Sequence, residues 1–181
     1  DEWKRFEQTI ALFEKYGHQY SFDPLMLAAQ GFQESRLDQK AKSRAGAVGV
    51  MQVLPATGSQ LKVGDIKITE PNIHAGAKYM DQLMTKYFQD AKFDENNRTL
   101  FAFASYNAGP GNISKMRAEA RKQGFNPDIW FNNVEVVTAK KIGIETTTYV
   151  RNIYKYYASY KLQREIHEAA EKAKKQVVPG K

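Results

Sequence analysis

The stretch that decides the fold is GFQES at residues 31–35, followed after a polar gap by GAVGVMQVLP at residues 46–55. In the first segment a single carboxylate, Glu34, ends a mainly apolar run that begins at Leu25. A carboxyl group against an apolar wall loses hydration in its charged form, so its pKa rises and it can act as a general acid near neutral pH. An isolated Glu-Ser pair is more often a surface feature of an amphipathic helix, because perturbed carboxylates are the minority. Other parts of the sequence must therefore decide between the two interpretations.

Composition and charge describe one globular domain. The chain has 181 residues, of which 42% are hydrophobic and 12% aromatic, enough for a core of its own. Its 27 Lys and Arg against 20 Asp and Glu give a net charge of +7, which favours polyanionic surroundings such as a cell wall, an anionic membrane surface or nucleic acid. The strand-poor pattern contains no recognised nucleic-acid-binding module, so nucleic acid is not an expected partner.

Metal, disulfide and membrane-spanning interpretations find little support in the sequence. There is no Cys, and the three His residues lie far apart at positions 18, 74 and 167, so we predict no metal site. No apolar run approaches the roughly 20 residues of a membrane span. The sequence begins at Asp1, which we interpret as a processed product or an excised domain whose targeting signal or partner domain lies outside it.

Apolar residues spaced three and four apart predict helices through most of the chain. The first helix carries Trp3 on its apolar face and is expected to stop at Gly17. Asp23-Pro24 predicts an N-cap followed by Pro at the first helical position, opening a helix that ends near Glu34. Further helices are predicted at residues 55–61, 71–88, 99–106, 111–124, from 135 onward, and at 146–162.

Only two segments resemble strands. Residues 48–54 predict a short strand, and residues 61–68 predict a small hairpin around Gly64-Asp65. The predicted fold class is therefore mainly α, with at most a small β-hairpin. Residues 164–181, rich in Ala, Glu and Lys, predict a solvated helix or tail that frays at its end.

Four separated blocks share an order and spacing with a known family. They are Glu34-Ser35, GVMQ at 49–52, ASYNAGPG at 104–111 and ETTTYV at 145–150. Together they resemble the soluble-lytic-transglycosylase-like, goose-lysozyme-related family of peptidoglycan lytic transglycosylases, over roughly residues 25–157. The Tyr-rich last helix resembles most the catalytic module of the membrane-bound F subgroup. The family often has Arg where this chain has Thr147, so no contact of that Arg is carried over.

The resemblance implies a lysozyme-like catalytic domain at residues 1–163, followed by the solvated tail at 164–181. It implies that Glu34 is the catalytic acid, and it places Ser43 and Gln52 against the reacting sugar. Ser43 is equally well explained as a loop residue that caps a turn. Gln52 offers two donors and an acceptor to a sugar that carries an amide.

The resemblance also implies substrate-binding roles for four residues of the groove. Tyr106 is expected to donate its hydroxyl to Glu34, and Tyr79 to present its ring to a sugar face. Asn107 and Glu145 are expected on the floor of the groove, where they position Tyr106 and the substrate. Buried structural roles explain the same residue types nearly as well.

The implied reaction cleaves the bond between N-acetylmuramic acid and N-acetylglucosamine and leaves a 1,6-anhydro ring, with Glu34 acting first as acid and then as base. The alternatives are a lysozyme-type hydrolase, for which Asp38 is the nearest second carboxylate, and a non-catalytic module that binds cell wall. No cofactor is implied. The expected partner is the peptidoglycan glycan strand, in the periplasm, with a monomeric protein that associates with the outer membrane only through parts outside this sequence.

Overall fold

The computed structural model describes residues 1–177 and is built from helices throughout. The helices are α1 (Glu2–Tyr20), α2 (Pro24–Ser35), α3 (Pro55–Leu61), α4 (Thr69–Tyr87), α5 (Glu95–Ala108), α6 (Pro110–Lys122), α7 (Glu135–Ile142) and α8 (Ile144–Val177), with a π-helical turn at Trp130–Val134 before α7. Within these residues there is no sheet, only isolated bridges from Lys42 to Val48 and from Val48 to Val53. The prediction of a mainly α fold is confirmed.

The core is organised around α5. Its residues 99–105 are all buried, because the run Leu100-Phe-Ala-Phe-Ala104 presents apolar atoms on every side of the helix. α4, α6 and α8 pack against it. α8 in turn packs along α2, which is the most extensive helix pairing within residues 1–177. α2 is therefore held between α1 and α8, and its last turn carries Glu34.

The caps of α2 follow the sequence prediction. The Asp23 carboxylate accepts a hydrogen bond of 2.8 Å from the Leu25 amide, and Pro24 occupies the first turn, where its missing N–H is not needed. At the other end Arg36 and Leu37 both adopt left-handed φ values, 58° and 60°. This turn ends the helix directly after Glu34 and Ser35, and it sends the chain into the loop that follows.

Gly17 does not end α1, contrary to the prediction. The helix continues to Tyr20 and ends at Ser21, which takes the left-handed conformation. A Cβ added at Gly17 would lie 2.7 Å from the Phe22 carbonyl oxygen and 3.2 Å from the Pro24 ring. Glycine is therefore needed at this position for the close approach of α1 to the start of α2, not for a helix stop.

Both predicted strand segments are wrong. Residues 48–54 form a tight loop in which Gly49 and Gln52 have positive φ values of 79° and 50°. Residues 62–68 form turns, in which the Asp65 carboxylate accepts from the Lys67 amide and Ile68 donates to the Asp65 carbonyl. Val50 and Val53 are buried in the core, and Val53 exchanges backbone hydrogen bonds with Val48 of the same loop instead of with a neighbouring strand.

α8 continues well beyond the compact part of the fold. All side chains at residues 161–177 are exposed, and Trp3 stacks on His167 with ring centroids 5.0 Å apart. The boundary after residue 163 stays a prediction, and the predicted fraying at residues 178–181 lies outside the described residues. No helix among residues 1–177 has the length and apolarity that a membrane crossing requires.

Candidate active site

The four sequence blocks converge on one place in the structure. Four hydrogen bonds join them in a ring: Tyr149 to Glu34 at 3.1 Å, Ser35 to the Val50 carbonyl at 2.8 Å, Tyr106 to the Met51 carbonyl at 2.6 Å, and Thr146 to Asn107 at 2.7 Å. Each bond links one block to another, so the end of α2, the loop at 46–54, the end of α5 and the start of α8 are held together. Residues far apart in the chain thus form one polar site.

Glu34 is the acidic group of this site. It is partly buried at the end of α2, and the Tyr149 hydroxyl donates to its Oε2. Burial raises the pKa of Glu34 from 4.5 to about 7, while the hydrogen bond from Tyr149 opposes that change by favouring the charged form. A large fraction of Glu34 is therefore protonated at neutral pH, as a general acid must be.

Tyr149 is the neighbour of Glu34 that the sequence did not assign. It is 5% exposed, and burial raises the pKa of its hydroxyl well above 10, so the group stays protonated and remains a donor. The residue lies in the fourth block, so its motif was visible. Its contact with Glu34 depends on how α8 crosses α2, which local sequence does not show.

Tyr106 does not donate to Glu34, contrary to the prediction. Its hydroxyl donates to the Met51 carbonyl, and its ring meets Tyr79 edge to face with centroids 5.4 Å apart. Burial raises the pKa of the Tyr106 hydroxyl well above its usual value. Tyr106 therefore fixes the loop beside Glu34.

The loop at residues 46–54 is held from outside by two side chains that the sequence analysis missed. Asn72, fully buried in α4, accepts from the Met51 amide at 2.8 Å and donates to the Val48 and Ile66 carbonyls at 2.7 and 2.8 Å. Gln39 accepts from the Val50 amide at 3.0 Å and donates to the Ile66 carbonyl. The backbone groups of this loop are thus satisfied by side chains, as buried polar groups require.

Gln52 and Ser43 are both engaged in this loop. The Gln52 amide donates to the Gly49 and Ala41 carbonyls at 2.9 and 3.2 Å, so a sugar contact would have to use its Oε1. The exposed Ser43 hydroxyl accepts from the Ala47 amide at 3.0 Å and caps the turn. The turn-capping alternative for Ser43 is therefore present in the structure.

The remaining predicted residues lie around the ring of hydrogen bonds. Asn107 is exposed at the end of α5 and accepts from Thr146, and Glu145 is exposed in the first turn of α8. Tyr79 is half-buried in α4 and lines a cavity of about 240 Å³ between α3, α4 and the start of α6. The cavity also has Gln60, Gln82, Lys86 and Tyr87 in its wall. These side chains extend the site along one direction from Tyr106.

Asp38 serves local structure. Its carboxylate accepts from the Lys40 amide at 2.9 Å and faces Arg5 of α1 at 3.9 Å. Another cavity, of about 380 Å³, is lined by Trp3, Phe32, Arg36 and Tyr156, and Glu34 is not among its lining residues. Among the described residues there is no cluster of three or more His, Asp or Glu side chains that could hold a metal ion.

Comparison with known proteins finds relatives that share one name. The sequence is 35% identical over 165 residues to a membrane-bound lytic murein transglycosylase F from Alteromonas mediterranea, which covers 84% of this chain and 35% of that protein. It is 33% identical to a protein of the same name from Serratia proteamaculans, over 94% of this chain and 37% of the relative. The chain thus spans little more than a third of the length of these curated relatives.

Solved structures show the same fold. The 70 kDa soluble lytic transglycosylase of Escherichia coli superposes with a TM-score of 0.61 at 26% identity, over 85% of this chain and 24% of that one. An inactive mutant of lytic transglycosylase Slt from Pseudomonas aeruginosa gives 0.63 at 22% identity, over 86% of this chain and 24% of that one. The predicted SLT-type, lysozyme-like helical fold is confirmed.

The family profile described as Transglycosylase SLT domain matches residues 11–129, which is more than half of the chain. That range contains Glu34, the loop at 46–54 and the block at 104–111, three of the four blocks joined by the hydrogen-bond ring. The chain therefore belongs to the Transglycosylase SLT domain family.

Proposed function

We propose that this domain is the catalytic domain of a peptidoglycan lytic transglycosylase that acts on glycan strands in the periplasm. It cleaves between N-acetylmuramic acid and N-acetylglucosamine and forms 1,6-anhydro-N-acetylmuramic acid ends. The observation that carries the proposal is Glu34, a single carboxyl group with a pKa near 7 where four motif blocks meet. The names of the relatives support the same reaction class.

In the proposed reaction Glu34 acts twice. Its carboxyl proton passes to the glycosidic oxygen, the bond from that oxygen to muramic C1 breaks, and N-acetylglucosamine leaves with a free hydroxyl. The carboxylate then takes the proton of the muramic C6 hydroxyl as that oxygen bonds to C1, which restores the acid. The 2-acetamido group stabilises the cationic centre between the two steps. Tyr149 donates to Glu34 in its charged form and so lowers the cost of releasing the proton.

The single acid favours this route over hydrolysis. A hydrolase needs a second placed carboxylate, either to activate water or to form a covalent intermediate. Asp38 is held by Lys40 and Arg5, and Glu145 lies exposed at the start of α8. The C6 hydroxyl is already tethered near C1, so its attack avoids the entropy cost of capturing water.

Digestion of purified peptidoglycan in water labelled with heavy oxygen tests the proposal. We expect muramic products that are lighter than hydrolysis products by one water, resist borohydride reduction and carry no label. Reducing, labelled muramic ends would show a hydrolase, and the absence of any soluble product would show a binding module.

Glu34→Gln should lower turnover at least about a hundredfold, because the amide keeps the shape but delivers no proton. Asp38→Asn is the matched control and should keep most of the activity. Retention of more than about a tenth of the activity by Glu34→Gln would assign the acid to another residue.

The oligomeric state is proposed to be a monomer, and size-exclusion chromatography of the purified chain checks it. Association with the outer membrane is proposed only for the whole protein, through parts outside this sequence.

A further inference from the structure

Gln30 is a buried amide that the reaction scheme leaves unused. It lies one helical turn before Glu34 on the same face of α2 and is completely buried. Its Nε2 lies 3.3 Å from the Tyr149 hydroxyl and 3.6 Å from the Met80 sulfur. Its Oε1 has no hydrogen-bond partner among residues 1–177. An amide with a buried, unsatisfied oxygen is costly, so it calls for a functional explanation.

The orientation of this amide decides where the Tyr149 proton points. A tyrosine hydroxyl has one hydrogen to donate and can accept in return. With Nε2 toward Tyr149, the hydroxyl accepts from Gln30 and its own hydrogen is directed to Glu34. With Oε1 toward Tyr149, Gln30 would compete with Glu34 for that hydrogen. The Met80 thioether accepts only, which favours Nε2 on the side that the structure shows.

Few other groups act on Glu34. Tyr149 reaches it from α8, and Tyr106 approaches from α5 with its hydroxyl committed to the Met51 carbonyl. Within the described part of the chain, no Lys, Arg, His or second carboxylate forms an ion pair or hydrogen bond with Glu34. The hydrogen bond from Tyr149 is therefore the contact that favours the charged carboxylate against the larger effect of burial.

We infer that Gln30 is a positioning residue that directs the single hydroxyl proton of Tyr149 onto Glu34, and so favours the carboxylate that forms when Glu34 releases its proton. The inference rests on the proposed role of Glu34 as the acid. Gln30 touches no reacting atom and acts only through Tyr149. The unsatisfied Oε1 is the stability cost of holding the amide in the productive orientation.

The test is a carbon-13 NMR titration of the Glu34 side-chain carboxyl in the whole chain, assigned by comparison with Glu34→Gln. Gln30→Met keeps an unbranched side chain but removes the donor. Without the Gln30 donor the Tyr149 hydroxyl is no longer held toward Glu34, so its hydrogen bond to the carboxylate weakens and we expect the pKa of Glu34 to rise by about half a unit or more. Tyr149→Phe should give an increase at least as large.

The double variant distinguishes positioning from packing. If Gln30 acts through Tyr149, adding Gln30→Met to Tyr149→Phe should leave the pKa of Glu34 unchanged. An equal increase in both backgrounds, or no increase in either, would overturn the inference. Gln33→Met, on the same helix, controls for the exchange of Gln for Met and should leave the titration where it is. If Gln30→Met fails to fold, Gln30→Leu takes its place in the same comparison.

The titration requires no substrate. The titration can therefore contradict the role of Gln30 while product analysis still shows anhydro sugars. It can also support that role while product analysis shows hydrolysis. In activity assays, the corresponding result is a basic limb of the pH-rate profile that moves to higher pH in Gln30→Met, because Glu34 stays protonated to higher pH. A purely structural role would lower the melting temperature without moving that limb.

Discussion

A buried carboxyl group with a raised pKa lowers the stability of the folded protein when it ionises. Glu34 is held in that condition by burial at the end of α2, with one hydroxyl donor to offset it. The folded pKa lies above the unfolded value of 4.5, so the folded state binds the proton more tightly than the unfolded chain does. The contribution of Glu34 to stability therefore falls as pH rises from about 4.5 to about 7, and it stays lower above that.

Glu34→Gln should be more stable than the native chain at alkaline pH. We expect no difference in the free energy of unfolding at pH 4, and a gain that grows to about 3 kcal/mol at pH 8, since one pKa unit corresponds to about 1.4 kcal/mol. Urea denaturation between pH 4 and pH 8 measures the difference. Glu14→Gln, at an exposed site on α1, makes the same charge change and serves as the control. The pH-dependent gain in the free energy of unfolding must be larger for Glu34→Gln than for Glu14→Gln. A pH-independent difference would contradict the buried-acid interpretation.

At this scale the sequence indicated Glu34 as the candidate acid but did not indicate the side chains that contact it. Glu34 stood out because it ends an apolar run inside a motif. Its contact with Tyr149 spans 115 residues, and that of Gln30 with Tyr149 spans 119, so both depend on the pairing of α2 with α8. Tyr106 was assigned to Glu34 although its hydroxyl lies at the Met51 carbonyl. Motif order places residues in a common site, but which hydroxyl meets which acceptor is settled by packing.

The loop at residues 46–54 shows how an element can be held without regular structure. Its Val residues are of the β-branched type that is typical of strands, and the sequence predicts a strand there. In the structure, Val48 and Val53 exchange backbone hydrogen bonds within the loop, and the side chains of Gln39 and Asn72 take the amides of residues 50 and 51. Asn72 comes from α4, the second helix after the loop, and Gln39 from the turn before it, and no local sequence pattern predicts either contact.

Gly49→Ala should damage this loop severely. Gly49 has a φ of 79°, and an added Cβ would lie 2.6 Å from the Gln39 side-chain amide, so both strain and collision follow. We expect a loss of more than about 2 kcal/mol in the free energy of unfolding, together with lost turnover. Gly111→Ala is the matched control, because no atom lies within 4 Å of its added Cβ and it sits in α6. Chemical denaturation of both variants gives the comparison, and equal effects would contradict the framing role of Asn72 and Gln39.

The whole molecule carries an excess of positive charge over a helical fold. The sequence predicted both, because helical periodicity runs through nearly every segment and charge is a matter of counting. Helix ends were less predictable: α5 begins at Glu95, where Asp94 accepts from the Asn97 amide, and not at Thr99. Residues 94–97, a polar run before the predicted start at Thr99, are the cap and first turn of this helix.

Binding to intact peptidoglycan should weaken with salt. The net charge of +7 attracts an anionic cell wall over distances that the Debye length sets, about 10 Å at 0.1 M and about 3 Å at 1 M ionic strength. Cosedimentation of Glu34→Gln with purified sacculi should show a several-fold lower bound fraction at the higher salt. Replacing Lys172 and Lys175 with Gln, at the exposed end of α8, should reduce the salt effect. Salt-independent binding would indicate that short contacts in the groove dominate.

The exposed end of α8 also makes the molecule convenient for spectroscopy. The helix that carries Tyr149 runs without interruption to Val177, and the native sequence contains no thiol. A single Glu171→Cys would therefore accept one spin label or fluorophore, about 33 Å along the helix from Tyr149 at a rise of 1.5 Å per residue. A second label on α4, at Lys86→Cys, would lie beside the cavity next to Tyr79. The distance between the two labels would then report whether α4 and α8 move relative to each other when a glycan binds, and neither label would touch Glu34.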